Sequence, residues 1–195
     1  MKKVALMFSL LTGIIGNAQT TYPESSDMVF NKKNELRIGT IRLLSGNSFD
    51  LGYERIIDRN QSFGANMLIG FGSNEDIAYT EQLFSISPYY RFYFNKSQEY
   101  GAKGMFVEGF ADFYSGRTYN YINNYYTTDP YGNYYYYERK DDYFDVAAGF
   151  ALGWKWVNTI GFVFEIKAGY GRNLMDENPN ASGIFRGDFS VGYRF

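Results

Sequence analysis

The chain has 195 residues, a net charge of −2, no cysteine and no histidine. The near-neutral balance points away from nucleic acid, and the missing cysteine excludes a disulfide scaffold, a thiolate metal site and a lipidated N-terminal cysteine. Aromatic content of 21%, with 20 Tyr and 18 Phe, and 21 Gly against 4 Pro suit a large antiparallel sheet with close backbone packing.

Lys2 and Lys3 precede an apolar run from Val4 to Ile15, and Gly16 and Ala18 supply the small residues of a cleavage site before Gln19. Residues 1–18 read as a secretory signal peptide, since the run is too short to cross a membrane as a helix. Residues 19–33 are polar and unpatterned and read as a short periplasmic leader.

Alternation with period two begins at Asn34. The first strand is expected over Asn34–Leu44. Leu36 and Ile38 share one parity and Ile41 and Leu43 the other, so a bulge near Gly39 is expected. The second strand, Ser48–Ile57, sets Phe49, Leu51, Tyr53 and Ile57 against Asp50, Gly52 and Glu54. The third sets Phe63, Ala65, Met67, Ile69 and Phe71 against Gly64, Asn66, Gly70 and Gly72, and Ser73–Glu81 follows as a polar loop. In the fourth, Phe84, Ile86, Pro88, Tyr90, Phe92 and Phe94 oppose Ser85, Ser87, Tyr89, Arg91 and Tyr93, with a bulge expected at Pro88. The fifth, Gly104–Ser115, places Glu108 and Asp112 on the polar parity. The sixth, Tyr143–Trp156, sets Phe144, Val146, Ala148, Phe150, Leu152 and Trp154 against Asp145, Gly149, Gly153 and Lys155. The seventh sets Phe162, Phe164, Ile166, Ala168 and Tyr170 against Glu165, Lys167, Gly169 and Gly171. The last runs from Gly183 to Phe195, with Phe185, Phe189, Val191, Tyr193 and Phe195 opposing Arg186, Asp188, Ser190 and Arg194.

Eight such strands in hairpin order predict an all-β fold, an eight-stranded antiparallel up-and-down transmembrane β-barrel over residues 34–195. Short connections after strands two, four and six alternate with longer ones, as in membrane barrels with periplasmic turns, periplasmic termini and extracellular loops. Volume sets the orientation of the faces. The interior of an eight-stranded barrel is only wide enough for side chains or one small ligand, and the aromatic face is too bulky for it. The aromatic face therefore meets lipid and the polar face fills the lumen. That lumen is expected to hold Asp50, Glu54, Arg91, Glu108, Asp112, Asp145, Lys155, Glu165, Lys167, Arg186 and Asp188, together with Arg194. Opposite charges in a narrow interior pair, because an unpaired buried charge is costly. The expectation is a plugged barrel.

The alternation of Phe189, Val191, Tyr193 and Phe195 resembles the closing strand of Gram-negative outer-membrane β-barrels, in which the terminal aromatic is read by the barrel-assembly machinery. Phe49-Asp-Leu-Gly-Tyr-Glu-Arg55 and Ser87-Pro-Tyr-Tyr-Arg-Phe-Tyr-Phe94 resemble segments of a small outer-membrane barrel family of Bacteroidetes type, and more broadly the OmpA/OmpX-type barrels. The resemblance implies residence in the bacterial outer membrane, with membrane lipid and lipopolysaccharide as surroundings, and no defined activity.

Without histidine the usual general base and metal ligand are missing, so no enzyme, cofactor or metal site is expected; carboxylate-only chemistry stays open. Glu75-Asp76 and Asp176-Glu177 lie in expected external loops, where solvated charge outweighs a calcium site. The distinctive stretch is Gly116–Asp142, which carries Tyr119, Tyr121, Tyr125, Tyr126, Tyr131, Tyr134, Tyr135, Tyr136 and Tyr137 around the turn sequence Asp129-Pro-Tyr-Gly132. It reads as a protruding hairpin. Tyr-rich surfaces bind partners at low entropy cost, here an extracellular glycan or protein, while cross-strand Tyr pairs that merely stabilise the hairpin are the plainer reading. The preferred function is a structural or surface-interaction role in the outer membrane. The alternatives are a small channel or transporter for ions or apolar solutes, and a soluble secreted lipocalin-like carrier.

Overall fold

The computed structural model describes residues 32–45, 48–71, 80–94, 101–128, 134–175 and 182–195. Residues 1–31, the turn at 129–133, Glu75-Asp76 and Asp176-Glu177 lie outside the described residues, so the signal peptide, most of the leader and both acidic loop pairs are not placed.

Each of the eight alternating segments is a strand: β1 (Asn34–Gly39), β2 (Ser48–Ile56), β3 (Gln61–Gly70), β4 (Thr80–Tyr93), β5 (Gly104–Thr128), β6 (Tyr134–Val157), β7 (Phe162–Asn173) and β8 (Gly183–Arg194). They pair in sequence order, all antiparallel, and β1 closes on β8 to complete the barrel. Asn34 and Phe195 exchange backbone hydrogen bonds of 3.0 and 2.8 Å at the end of this seam.

Two local expectations are corrected. The first strand stops at Gly39, and Thr40–Ser45 form a short helix, α1, in place of a bulged strand running to Leu44. The switch of parity after Ile38 is therefore a change of structure. Thr40 Oγ1 donates to the Phe189 carbonyl (2.6 Å), tying the helix to β8, and Asp188 Oδ1 accepts from the Ile41 amide (3.3 Å), one of the orphan donors of the first turn. Pro88 does not bulge either. Pairing with β5 steps from Ile86↔Phe113 to Tyr89↔Phe110 in one register, and the irregularity lies at Gln82/Phe84. Pairing toward β3 continues at Ala65↔Pro88, so the missing proline donor falls on the β5 side.

The two faces separate as the alternation requires. Phe63, Tyr90, Phe150, Leu152, Trp154, Trp156, Phe164, Tyr170 and Phe185 point outward and are exposed, while Glu54, Arg91, Glu108, Lys155 and Glu165 point inward and are buried. The interior is more aromatic than its sequence face suggested. Tyr89, Tyr93, Phe106, Phe110 and Tyr114 are also buried inside. Glycine on facing strands makes room for them. A Cβ at Gly153 would lie 2.6 Å from the Ile166 carbonyl oxygen and against the Phe106 ring, and one at Gly64 would lie 2.5 Å from the Tyr89 hydroxyl.

The turns at one end close the barrel. Ala102, at φ 52°, is fully buried with Ile56, Tyr93 and Phe106. Arg194 fixes it by donating to the Gly101 and Ala102 carbonyls at 2.7 and 2.9 Å. At the other end β5 and β6 continue past their neighbours. Pairing of β4 with β5 ends at Thr80↔Thr118, and pairing of β7 with β6 begins at Ala147↔Asn173. Beyond those points, among the described residues, the two strands pair only with each other, out to Thr128↔Tyr134, with a break in register between Tyr121 and Tyr126. The advance from Thr118 to Thr128 is about 33 Å at roughly 3.3 Å per residue. Near its base Arg117 Nε donates to Asp142 Oδ1 (2.7 Å), which holds that exposed carboxyl below its ordinary pKa.

Gly153→Ala should lower the unfolding free energy by about 1–3 kcal/mol, because Phe106 and the β7 backbone cannot both retreat. Gly109→Ala is the control, since its nearest neighbour is the outward Phe150 ring at 3.6 Å. Denaturant titration followed by near-ultraviolet circular dichroism measures both, and equal stability of the two variants would refute the packing account.

Candidate functional site: the ion-paired lumen

The lumen is built from one inward parity on every strand. Arg91 of β4 sits at its centre with no solvent exposure. Its guanidinium meets Glu54 of β2 at 2.8 Å, Glu108 of β5 at 2.6 Å and Glu165 of β7 at 2.7 Å. It is also sandwiched between the rings of Tyr89 and Phe106, with centroids 4.5 and 4.3 Å away. A planar cation with five donors suits this place: its edge serves carboxylates while its faces stack on rings.

A second cation, Arg37 of β1, bonds the same carboxylates. It lies 3.0 Å from Glu54, contacts Glu165 directly and donates to the Tyr89 hydroxyl at 2.5 Å. Lys155 of β6 bridges Glu35 (2.8 Å) and Glu54 (2.7 Å), and Arg194 of β8 completes the chain with Glu35 at 2.5 Å. The Tyr93 hydroxyl donates to Glu54 at 2.6 Å. On the far side Lys167 and Arg186 approach Glu108 at 3.8 and 3.7 Å. With its amide turned so that the oxygen faces these cations, Asn66 accepts from Arg186 at 2.6 Å and Lys167 at 2.8 Å.

Four carboxylates (Glu35, Glu54, Glu108, Glu165) thus face six cations (Arg37, Arg91, Lys155, Lys167, Arg186, Arg194). The excess positive charge lies beside three aspartates toward the loop end. Asp50 and Asp188 line a cavity of about 10 Å³ with Arg37 and Lys167, and Asp50 and Asp112 line one of about 30 Å³ with Arg186. The larger has room for a single water.

The expected lumen residues divide accordingly. Glu54, Arg91, Glu108, Lys155, Glu165, Lys167 and Arg186 come together in one network. Asp112 instead accepts from Ser87 Oγ at 2.5 Å. Asp188 caps α1, and Asp145 accepts from the amides of Val146 (2.7 Å) and Met175 (3.2 Å), fixing backbone at the loop end. Glu35 and Arg37 are additions. Their parity was legible, because they alternate with Leu36 and Ile38, but extending the strand to Leu44 obscured it. The hydroxyls of Tyr89 and Tyr93 share the Arg91 face in sequence, and nothing within one strand shows whom they reach. Among the tyrosines expected to bind partners, the backbone of Tyr119, Tyr121, Tyr125, Tyr126, Tyr134, Tyr135, Tyr136 and Tyr137 lies in the extended hairpin strands, and Tyr131 lies outside the described residues. Phe189, Val191 and Tyr193 lie on the outward face of β8, with Phe195 just beyond it.

The fold and its contents define a closed antiparallel β-barrel of eight strands with an ion-paired interior. The sequence matches no protein-family model and no curated protein.

Removing one partner from a buried ion pair typically costs about 3–5 kcal/mol, because the other charge stays desolvated. Glu54→Gln and Arg91→Met should each destabilise the barrel by that amount. Arg91→Lys should recover only a minor part, since an ammonium cannot span three carboxylates or stack between two rings. Arg117→Gln, in an exposed pair, should leave unfolding unchanged. Chemical denaturation of the four variants measures this; an unperturbed Arg91→Lys would contradict the assigned geometry.

Proposed function

We propose that this is a non-enzymatic outer-membrane barrel whose protruding β5–β6 hairpin serves surface interaction. The outward aromatic band carries the membrane part of the reading. On β6 it runs from Phe144 to Trp156, alternating at each second residue through Phe150, Leu152 and Trp154. That is about 40 Å along the strand and about 30 Å after a tilt near 40°, the thickness of a hydrocarbon core. Soluble monomers rarely present continuous apolar patches beyond a few hundred Å², and this band encircles the barrel. Tyr53, Trp154, Trp156 and Tyr193 near the turn end fit an interfacial girdle. Membrane lipid, lipopolysaccharide and the barrel-assembly machinery are then its proposed surroundings.

The filled interior weighs against the channel and carrier readings. Arg91, Glu54, Glu108, Glu35 and Lys155 are fully buried across the lumen, where a pore would leave them wet. The hairpin is the feature with no part in barrel closure. Beyond Ala147, β6 has β5 on one side and no described strand on the other. Such an edge, rich in Tyr, suits pairing with an extended segment of an extracellular protein or stacking on a glycan.

Replacing Thr118–Asp141 by Asn-Gly keeps a two-residue hairpin connection. The shortened protein should still fractionate with outer membranes and keep heat-modifiable gel migration. It should lose the surface protease site near Arg139 and Lys140, and binding of expressing cells to host proteins or glycan arrays should fall. Recovery of the full-length chain as a free periplasmic protein would sink the membrane reading. A folded shortened protein with unchanged binding would sink the interaction role. Single-channel recording adds a separate check: the intact barrel should show no large, steady conductance.

A further inference from the structure

The outward face is not uniformly bulky. Between β4 and β7 it carries a depression of about 720 Å³ whose floor is Pro88, Ala111, Ala148 and the Gly149 backbone. The register explains it. Ala111 pairs with Ala148 and Ala148 with Arg172, a row of small side chains that ends on a cation. The neighbouring row toward the turn end is Tyr90, Gly109, Phe150 and Tyr170, and that toward the loop end includes Phe113 and Val146. Tyr90, Phe150 and Tyr170 on the turn side and Phe113 on the loop side therefore flank a trough crossing three strand spacings, about 14 Å long at roughly 4.8 Å per spacing. Arg172 occupies the second-last position of β7, at the loop end of the strand. Its side chain is exposed, lines the trough and makes no hydrogen bond or ion pair among the described residues.

We propose that this trough seats one acyl chain of a membrane lipid with an anionic headgroup, held at its phosphate by Arg172. The inference rests on the membrane reading above and adds a specific site to it. The width selects the occupant. The flanking rows stand two side-chain rows apart, about 13 Å between centres, and the exposed side chains of Phe113, Tyr90, Phe150 and Tyr170 take up part of that. An extended hydrocarbon chain fits the remainder, whereas a helix of about 10–12 Å diameter or a second barrel wall does not. The charge selects the headgroup. A guanidinium with no partner among the described residues, on a side chain long enough to snorkel from the end of an apolar trough toward the membrane surface, matches a phosphate oxygen pair bidentately. A zwitterionic headgroup offers the same phosphate beside its own cation and binds it less well.

The test uses the full-length protein, one copy per nanodisc, in phosphatidylcholine with rising fractions of phosphatidylglycerol. Methyl resonances of Ala111 and Ala148 report on the trough. They should shift saturably with phosphatidylglycerol. Arg172→Gln should raise the half-saturating fraction at least fivefold, and filling the floor by Ala148→Leu should abolish saturation at Ala111. Arg55→Gln, an outward cation near the other end of the barrel bonded to Asn34, should leave the half-saturating fraction unchanged. A linear, unsaturable response overturns the site, as does equal weakening by Arg55→Gln, which would reflect general surface charge. A chain that stays folded in water and never enters discs overturns the membrane reading together with the site; one that inserts without saturating overturns the site alone.

Discussion

The structure depends on one buried cation. Arg91 lies among three carboxylates drawn from strands on either side of it, and those carboxylates in turn hold Arg37, Lys155 and Lys167. Charges removed from water in this way are tolerable only when every one has a partner. β1, β2, β4, β5, β6, β7 and β8 each contribute ionised groups to the network, and β3 contributes Asn66. A slip of one residue in any of these seven charged strands would turn its charge outward and leave the others uncompensated, because the side-chain period is two. The network therefore acts on register, strand by strand, which apolar packing alone specifies weakly on a curved sheet.

Aromatic and small side chains complete what the charges begin. Tyr89 and Phe106 sandwich Arg91, and Phe110 stacks on Arg186 at 4.4 Å. These rings need width that eight strands barely provide, and Gly64, Gly153 and Gly171 facing them supply it. Outside, the same alternation of bulk and absence works in reverse, where Ala111, Gly109 and Ala148 leave a trough among exposed rings. One sheet thus carries two fitted surfaces of opposite polarity.

The two ends of the barrel differ for a physical reason. At the turn end short connections fold inward, and Arg194 ties Gly101 and Ala102 beneath the lumen. At the loop end Asp188 and Asp145 spend their hydrogen bonds on backbone amides, one starting α1 and the other holding Met175. Among the described residues only the β5–β6 pair continues past this boundary. Nothing in barrel closure requires that length, which is why the proposed interaction role falls there.

The sequence by itself determined the number of strands, their order and which parity faces inward, because alternation is a local property and bulk on one face exceeds what a narrow barrel holds. It also identified Glu54, Arg91, Glu108, Lys155, Glu165, Lys167 and Arg186 as interior charges and the Tyr-rich segment as an extended hairpin. It did not determine who meets whom. Arg37 and Glu35 were hidden by a parity change that is in fact a helix, and a helical turn of six residues leaves too short a pattern to distinguish from a bulge. The sorting of Asp112, Asp145 and Asp188 away from the central network depends on their height in the barrel. Height follows from the stagger between strands, and stagger is a relation between distant segments that no single strand encodes. Only the closed barrel decides it.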